Sequence, residues 1–232
     1  MALRPRAEKP PLLVGRFSFA ASHSVAGEVT DTFDLEIEVP VAFPAVLPVV
    51  KETGGRIPKH ADEHVNRTNE TLCLGSPLRL RSIFSKDPTL TGFADRILVP
   101  YLYAQSRRRA GDKMFAFGEL AHGLEGKLDD YVSLFGLKHH FQAIETLRLL
   151  GLKKRIANKH DCPCECRKRL GRCRFNVRVR ETRRVANLDW FRREHREIPE
   201  AIMAAAKRQA KEGRRSAAGM RSKQERKEFV SG

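Results

Sequence analysis

Between Phe33 and Val39 the chain alternates strictly. Phe33, Leu35, Ile37 and Val39 are apolar, and Asp34, Glu36 and Glu38 stand between them. A period of two sends the two sets to opposite faces of an extended backbone, so the spacing predicts a strand with one wet face. The run Leu12–His23 has strand composition, and Gly27 with Glu28 suits the turn between the two. A third short apolar run, residues 45–52, is ended by Gly54 and Gly55. Three short strands in tight succession predict an antiparallel meander.

The period then changes. Leu90, Phe93, Ile97, Leu98, Tyr101 and Leu102 recur at helical spacing. Thr89 or Asp87 can cap the start of this helix, and Pro100 is expected to kink it. A second helix is predicted over residues 127–135 and a third over 140–150, closed by Gly136 and Gly151 respectively. Strands followed by helices give an α+β class. Residues 175–185 alternate weakly and read as a strand or an arm. Residues 190–211 have high helix propensity, and 214–232 are basic and rich in small residues, the composition of a segment without structure of its own.

Charge divides the chain more sharply than hydropathy does. The 232 residues carry a net charge of +16. Residues 1–150 hold 19 basic and 18 acidic side chains, and 151–232 hold 25 basic and 10 acidic. This balance places a boundary near Gly151, and with the cysteines between 162 and 173 and the helical composition after them it suggests three parts: a body over 1–150, a knuckle over 151–182 and a basic helical tail over 183–232. The tail is expected to meet nucleic acid, through phosphate contacts, or an acidic protein partner. Base stacking is not indicated, because Trp190 and Phe191 are its main aromatic pair. No run of about 18 apolar residues predicts a membrane span, and the N-terminal residues lack the apolar stretch of a secretory signal, so the expected location is the cytoplasm.

Four of the five cysteines, Cys162, Cys164, Cys166 and Cys173, fall within twelve residues. In a reducing compartment such spacing reads as metal binding, and four thiolates suit one tetrahedral zinc ion in a closed structural site. The pattern Cys-Pro-Cys-x8-Cys resembles the small zinc motif at the C-terminus of the secretion ATPase SecA. Cys162, Cys164 and Cys173 match its first three ligands. The fourth position is Arg174 here, which leaves Cys166 or His160 as the replacement.

The fifth cysteine, Cys73, follows a polar loop that contains His64, Val65 and Asn66. An asparagine amide brought close to a thiol can stabilise the oxyanion formed when an amine attacks a thioester. With the meander, the Phe43-Pro44 turn, the His64-Val65-Asn66 triplet, the Leu72-Cys73-Leu74 step and residues 83–90 in that order, residues 12–110 resemble the ubiquitin-conjugating enzymes. The resemblance implies that Cys73 carries a ubiquitin-like modifier as a thioester, received from an activating enzyme and passed to an amine of a target protein. It implies that Asn66 supports the oxyanion and that His64 holds the loop. Asp62, Glu70 and Asp87 are the acidic residues available as a general base.

The chain departs from that pattern in three places. Val65 replaces a proline, Thr71 is taken to stand for the glycine ahead of the cysteine, and the N-terminal residues cannot form the family's opening helix. These departures point to divergent bacterial relatives, some of which serve in anti-phage defence. Glu119 and His122, in a Gly-Glu-x-x-His-Gly segment, resemble a feature of those proteins. The alternative reading is a non-catalytic binding module with a zinc knuckle and a nucleic-acid-binding tail.

Overall fold

A computed structural model describes residues 2–6, 10–24, 27–112, 123–200, 202 and 203. The chain divides into two compact units, Met1–His122 and Gly123–Gly232. Glu119, His122 and most of the predicted basic tail lie outside the described residues.

The first unit is built on an antiparallel sheet of four strands in sequential order: β1 (Ala2–Arg6), β2 (Leu12–His23), β3 (Gly27–Glu38) and β4 (Val49–Glu52). The predicted meander is therefore extended by one strand at its edge. Residues 2–6 pair with β2, and Pro5 sits on this edge strand, where a missing N–H costs no ladder bond in the sheet interior. The alternation of β3 is realised. Phe33, Leu35 and Ile37 are buried, whereas Asp34 and Glu38 are exposed. β2 supplies Phe17 and Phe19 to the same core, and the rings of Phe19 and Phe33 stack with centroids 6.4 Å apart. β4 is shorter than the apolar run at residues 45–52. Residues 41–45 form a turn that contains a cis Phe43–Pro44 peptide.

The turn after β4 is organised by one carboxylate. Glu52 is 6% exposed and accepts the N–H groups of Gly54 (2.9 Å), Arg56 (3.1 Å) and Ile57 (3.3 Å). These bonds satisfy backbone donors that the turn would otherwise leave unmet. Arg56 in turn lies 4.4 Å over the Phe33 ring and donates to Asp31 and to the carbonyl of Thr32.

A helix absent from the predicted set, α1 (Pro77–Phe84), follows. Ser76 accepts the N–H of Arg79, and Pro77 occupies the first helical position, where its missing N–H is harmless. The long apolar helix begins with α2 (Leu90–Phe93), capped by Thr89 on Gly92 N–H at 2.9 Å. The kink expected at Pro100 takes the form of a π-turn over Ala94–Leu98, after which α3 (Val99–Arg109) continues. A widened turn accommodates the ring and the lost N–H without ending the helix. Leu98, Leu102 and Tyr103 bury themselves against the sheet core.

In the second unit α4 (Gly123–Phe135) and α5 (His140–Leu150) agree with the predicted helices. The left-handed Gly136, at φ 66°, ends the first of them. Both belong with α8 (Leu188–Arg196) to this one unit, so the charge boundary near Gly151 falls inside it and is not a packing boundary. Several cations after residue 151 are the reason. Arg183 donates to the carbonyls of Leu149 (2.7 Å) and Leu150 (3.0 Å), and Arg192 donates to Gly151 (2.9 Å). They satisfy the open carbonyls at the C-terminus of α5, where the helix dipole also favours positive charge. Glu194 of α8 is buried and held by Tyr131 (2.7 Å) and Lys127 of α4. A short α6 (Lys154–Ala157) leads into the cysteine loop. Residues 175–185, predicted as a strand or arm, instead form α7 (Phe175–Thr182), with Val179 buried. A helix places one apolar residue inward while the arginines around it stay in water.

Candidate functional sites

Two short backbone segments meet beneath Cys73. Val65 and Leu72 form an antiparallel bridge, flanked by the bonds Cys73 N–H to His64 C=O (2.7 Å) and Asn66 N–H to Thr71 C=O (2.8 Å). Extended by one residue each way, this register pairs His64 with Cys73 and Asn66 with Thr71. Side chains alternate across such a pair. Val65 (4% exposed) and Leu72 (7%) enter the hydrophobic core, and Asn66, Thr71 and Cys73, their neighbours along the two segments, fall on the other face. The valine in the His-Val-Asn triplet is thus a core residue, and the alternation of Val-Asn against Thr-Leu-Cys is what groups Asn66, Thr71 and Cys73. Leu72 N–H also bonds to Val50 C=O at 2.8 Å, which ties the pair to β4.

The loop that carries His64 is fastened from α3. Tyr101 donates its hydroxyl to the carbonyl of Glu63 (2.9 Å) and lies 3.3 Å from that of His64. Gln105 Nε2 donates to Glu63 C=O at 2.8 Å, and Arg108 pairs with the Glu63 carboxylate at 3.1 Å. These three residues lie on one stripe of the helix. Sequence reasoning passed over them, although the helical period that predicted α3 also puts them on a common face. His64 itself has φ 53°, a left-handed backbone, and contributes its carbonyl to Cys73 N–H. The other left-handed residue here is Glu70, at φ 57°. The position suited to glycine is therefore Glu70, and Thr71 is not its substitute.

The Asn66 side chain is bonded within this outer-face set. Its Nδ2 donates to Thr71 Oγ1 at 2.8 Å, and the Thr71 hydroxyl donates to Asn69 Oδ1 at 2.8 Å. Cys73 is half-buried, and burial pushes its thiol up, opposed by a hydrogen bond from the Gly75 backbone. Among the acidic residues considered as a base, Glu70 pairs with Lys59 at 2.6 Å and Asp87 accepts the Thr89 hydroxyl at 2.8 Å. Asp62 is exposed beside His60.

The second unit brings the other four cysteines together. The sulfur atoms of Cys162, Cys164, Cys166 and Cys173 lie within 4.8 Å of one another, with close approaches of 3.2, 3.4 and 3.5 Å. A tetrahedral site with metal–sulfur bonds of about 2.3 Å has sulfur–sulfur edges of about 3.8 Å, so one ion fits this group. His160 is outside it, with Nδ1 3.4 Å from Arg148. Between the two sequence alternatives, the cluster contains Cys166.

The loop around the cluster is stitched by backbone bonds. Cys162 N–H meets Lys168 C=O at 2.9 Å, and Leu170 N–H meets His160 C=O at 2.9 Å. Phe175 N–H points at Cys173 Sγ, 3.4 Å away, at the start of α7. Gln142 of α5 donates to Glu165 at 3.0 Å and anchors the loop to the helices. Burial pushes Cys162 up, whereas the hydrogen bond from the Lys168 backbone pulls Cys166 down to about 7. The cluster could hold a metal ion in four-sulfur coordination.

Among the described residues no helix is long and apolar enough to cross a membrane. No protein-family model, curated protein or solved structure matches the chain.

Proposed function

We propose that the first unit is an acyl carrier of the ubiquitin-conjugating kind, which holds a ubiquitin-like modifier as a thioester on Cys73 and transfers it to an amine. The observation that supports this reading is the register at the Val65–Leu72 bridge, in which Cys73 and Asn66 fall on one face of the paired segments and His64 holds the Cys73 N–H through its carbonyl. In the first step the Cys73 thiolate attacks the modifier's thioester on an activating enzyme. A new C–S bond forms, and the activating enzyme's thiolate leaves. In the second step an amine attacks the carbonyl. A C–N bond forms, the C–S bond breaks, and the proton lost by the amine ends on the Cys73 sulfur. A thiol pushed up by burial favours that protonated end state. The Asn66 amide supports the oxyanion between these events, and the His64 loop, fastened by α3, fixes its distance from the thiol.

In this proposal the four cysteines of the second unit bind zinc, which supplies folding free energy and no chemistry, since four sulfur ligands leave no open position. The target would be recognised elsewhere on the protein, and the basic residues after 151 offer contact to nucleic acid or an acidic partner.

Incubation with an activating enzyme, ATP and a ubiquitin-like modifier should give an adduct that thiols reduce. Cys73→Ser should remove it or convert it to a thiol-resistant ester. An identical reducible adduct on the serine variant would assign the carrier role to another cysteine. Asn66→Ala should slow transfer to lysine by about 100-fold or more, the usual loss of an oxyanion donor, and slow loading much less.

A further inference from the structure

The oxyanion role of Asn66 depends on which end of its carboxamide faces Cys73. Presented as N–H it stabilises negative charge, and presented as C=O it repels it. The bonds around Thr71 decide between these. Thr71 is 7% exposed, whereas Asn66 and Asn69 are exposed. Its hydroxyl has a single proton, which goes to Asn69 Oδ1 at 2.8 Å, and its backbone N–H approaches the same oxygen at 3.3 Å. The hydroxyl oxygen is thereby left as an acceptor toward Asn66, and Nδ2 fills that place at 2.8 Å. With the carboxamide turned over, two acceptors would face each other. One Nδ2 proton is used by Thr71, and the second stays available on the face shared with Cys73.

We propose that Thr71, oriented by Asn69, is a positioning residue that fixes the Asn66 carboxamide with its N–H toward the thioester on Cys73. This rests on the acyl-carrier reading of Cys73. A valine at position 71 has nearly the same shape but no hydroxyl, so it would free the amide to turn over. A serine would restore the bond.

The test uses full-length protein and the mercaptoethanesulfonate thioester of N-acetyl-diglycine, which exchanges onto Cys73 with release of mercaptoethanesulfonate. Loading and discharge to butylamine are followed by intact mass, with Cys73→Ser as the background. Each discharge rate is compared with the same variant's loading rate, and loading should fall less than discharge in both Thr71→Val and Asn66→Ala. Discharge should be about 10-fold slower in Thr71→Val and within about 2-fold of wild type in Thr71→Ser, in line with the loss from a misplaced group. Thr71→Val should add nothing in an Asn66→Ala background. In 15N-labelled protein the two Asn66 Nδ2 protons should exchange unequally in wild type and Thr71→Ser, and alike in Thr71→Val.

A Thr71→Val protein that discharges at the wild-type rate, or that slows the Asn66→Ala protein as much as wild type, overturns the proposal. So do Asn66 signals that are unchanged in Thr71→Val. Failure of the carrier reading looks different: Cys73 does not load, or Asn66→Ala discharges normally. In either case the Asn66 signals still decide whether Thr71 orients the amide.

Discussion

Asp31 illustrates how single residues set the conditions under which the first unit stays folded. Burial alone would raise its carboxyl, but hydrogen bonds from Arg56, Ser106 and the Thr32 N–H outweigh that and hold it below the usual carboxylate range. A folded value below the unfolded one, about 3.9, contributes stability above that pH and loses it as pH falls through the folded value. Asp31→Asn should therefore flatten the acid limb of the stability curve below about pH 4, measured by urea unfolding across pH. Glu52 carries a larger load. Glu52→Ala leaves three N–H groups at the turn without their acceptor and should cost about 2–3 kcal/mol in the same assay, with Glu52→Gln losing less. Cys73 is expected to be alkylated with a pH midpoint above the ordinary thiol range, because burial opposes its ionisation. A midpoint at or below that range would contradict the placement of the thiol.

At the level of elements, the link between α3 and the His64 loop is open to a direct measurement. Tyr101→Phe removes the hydroxyl from the Glu63 carbonyl and should cost about 1 kcal/mol. Hydrogen exchange at the Cys73 amide, which is bonded to His64 C=O, should quicken along with it. Much of this element structure was legible in the sequence. The period-two pattern of β3, the apolar spacing of α2 and α3, the kink at Pro100 and the ends of α4 and α5 are all local properties of the chain.

What escaped sequence reading had non-local or conflicting causes. α1 was hidden because Leu78 and Leu80 mimic strand alternation, although Ser76-Pro77 is a helix-start signal. α7 looked extended because Val177 and Val179 alternate with arginines, and only the packing of Val179 and the cysteine loop before it favour a helix. The grouping of Cys162, Cys164, Cys166 and Cys173 was legible from residue type and spacing. The contacts of Thr71, Tyr101 and Gln105 around Cys73 needed the register between segments that only the fold provides.

For the whole molecule, the division at residue 122 predicts that two parts respond separately to metal. Elemental analysis should find about one zinc per chain, in line with four-sulfur sites of this type. Cys164→Ser, or treatment with a strong chelator, should lower hydrogen-exchange protection in residues 154–182 and the helices that hold them, and leave β2 and β3 protected. Loss of protection throughout the first unit would contradict the division. Polyanion binding is expected to fall steeply with salt, since 25 basic residues follow position 150. Arg183 and Arg192 should contribute little to that slope, because they are engaged with α5 carbonyls. Charge reversal at exposed Arg169 and Arg172 is expected to reduce it more, as read by anisotropy over a salt series.

The bridge between Val65 and Leu72 makes the reactivity of the thiol a matter of parity. Exchanging residues 72 and 73, so that leucine follows cysteine, would leave composition, charge and hydropathy unchanged. It would nevertheless carry the sulfur from the open face into a position that is 7% exposed, among Val65 and Val50 of the core. Such a protein should contain the same number of thiols and yet be silent to any thioester too large to enter a packed interior.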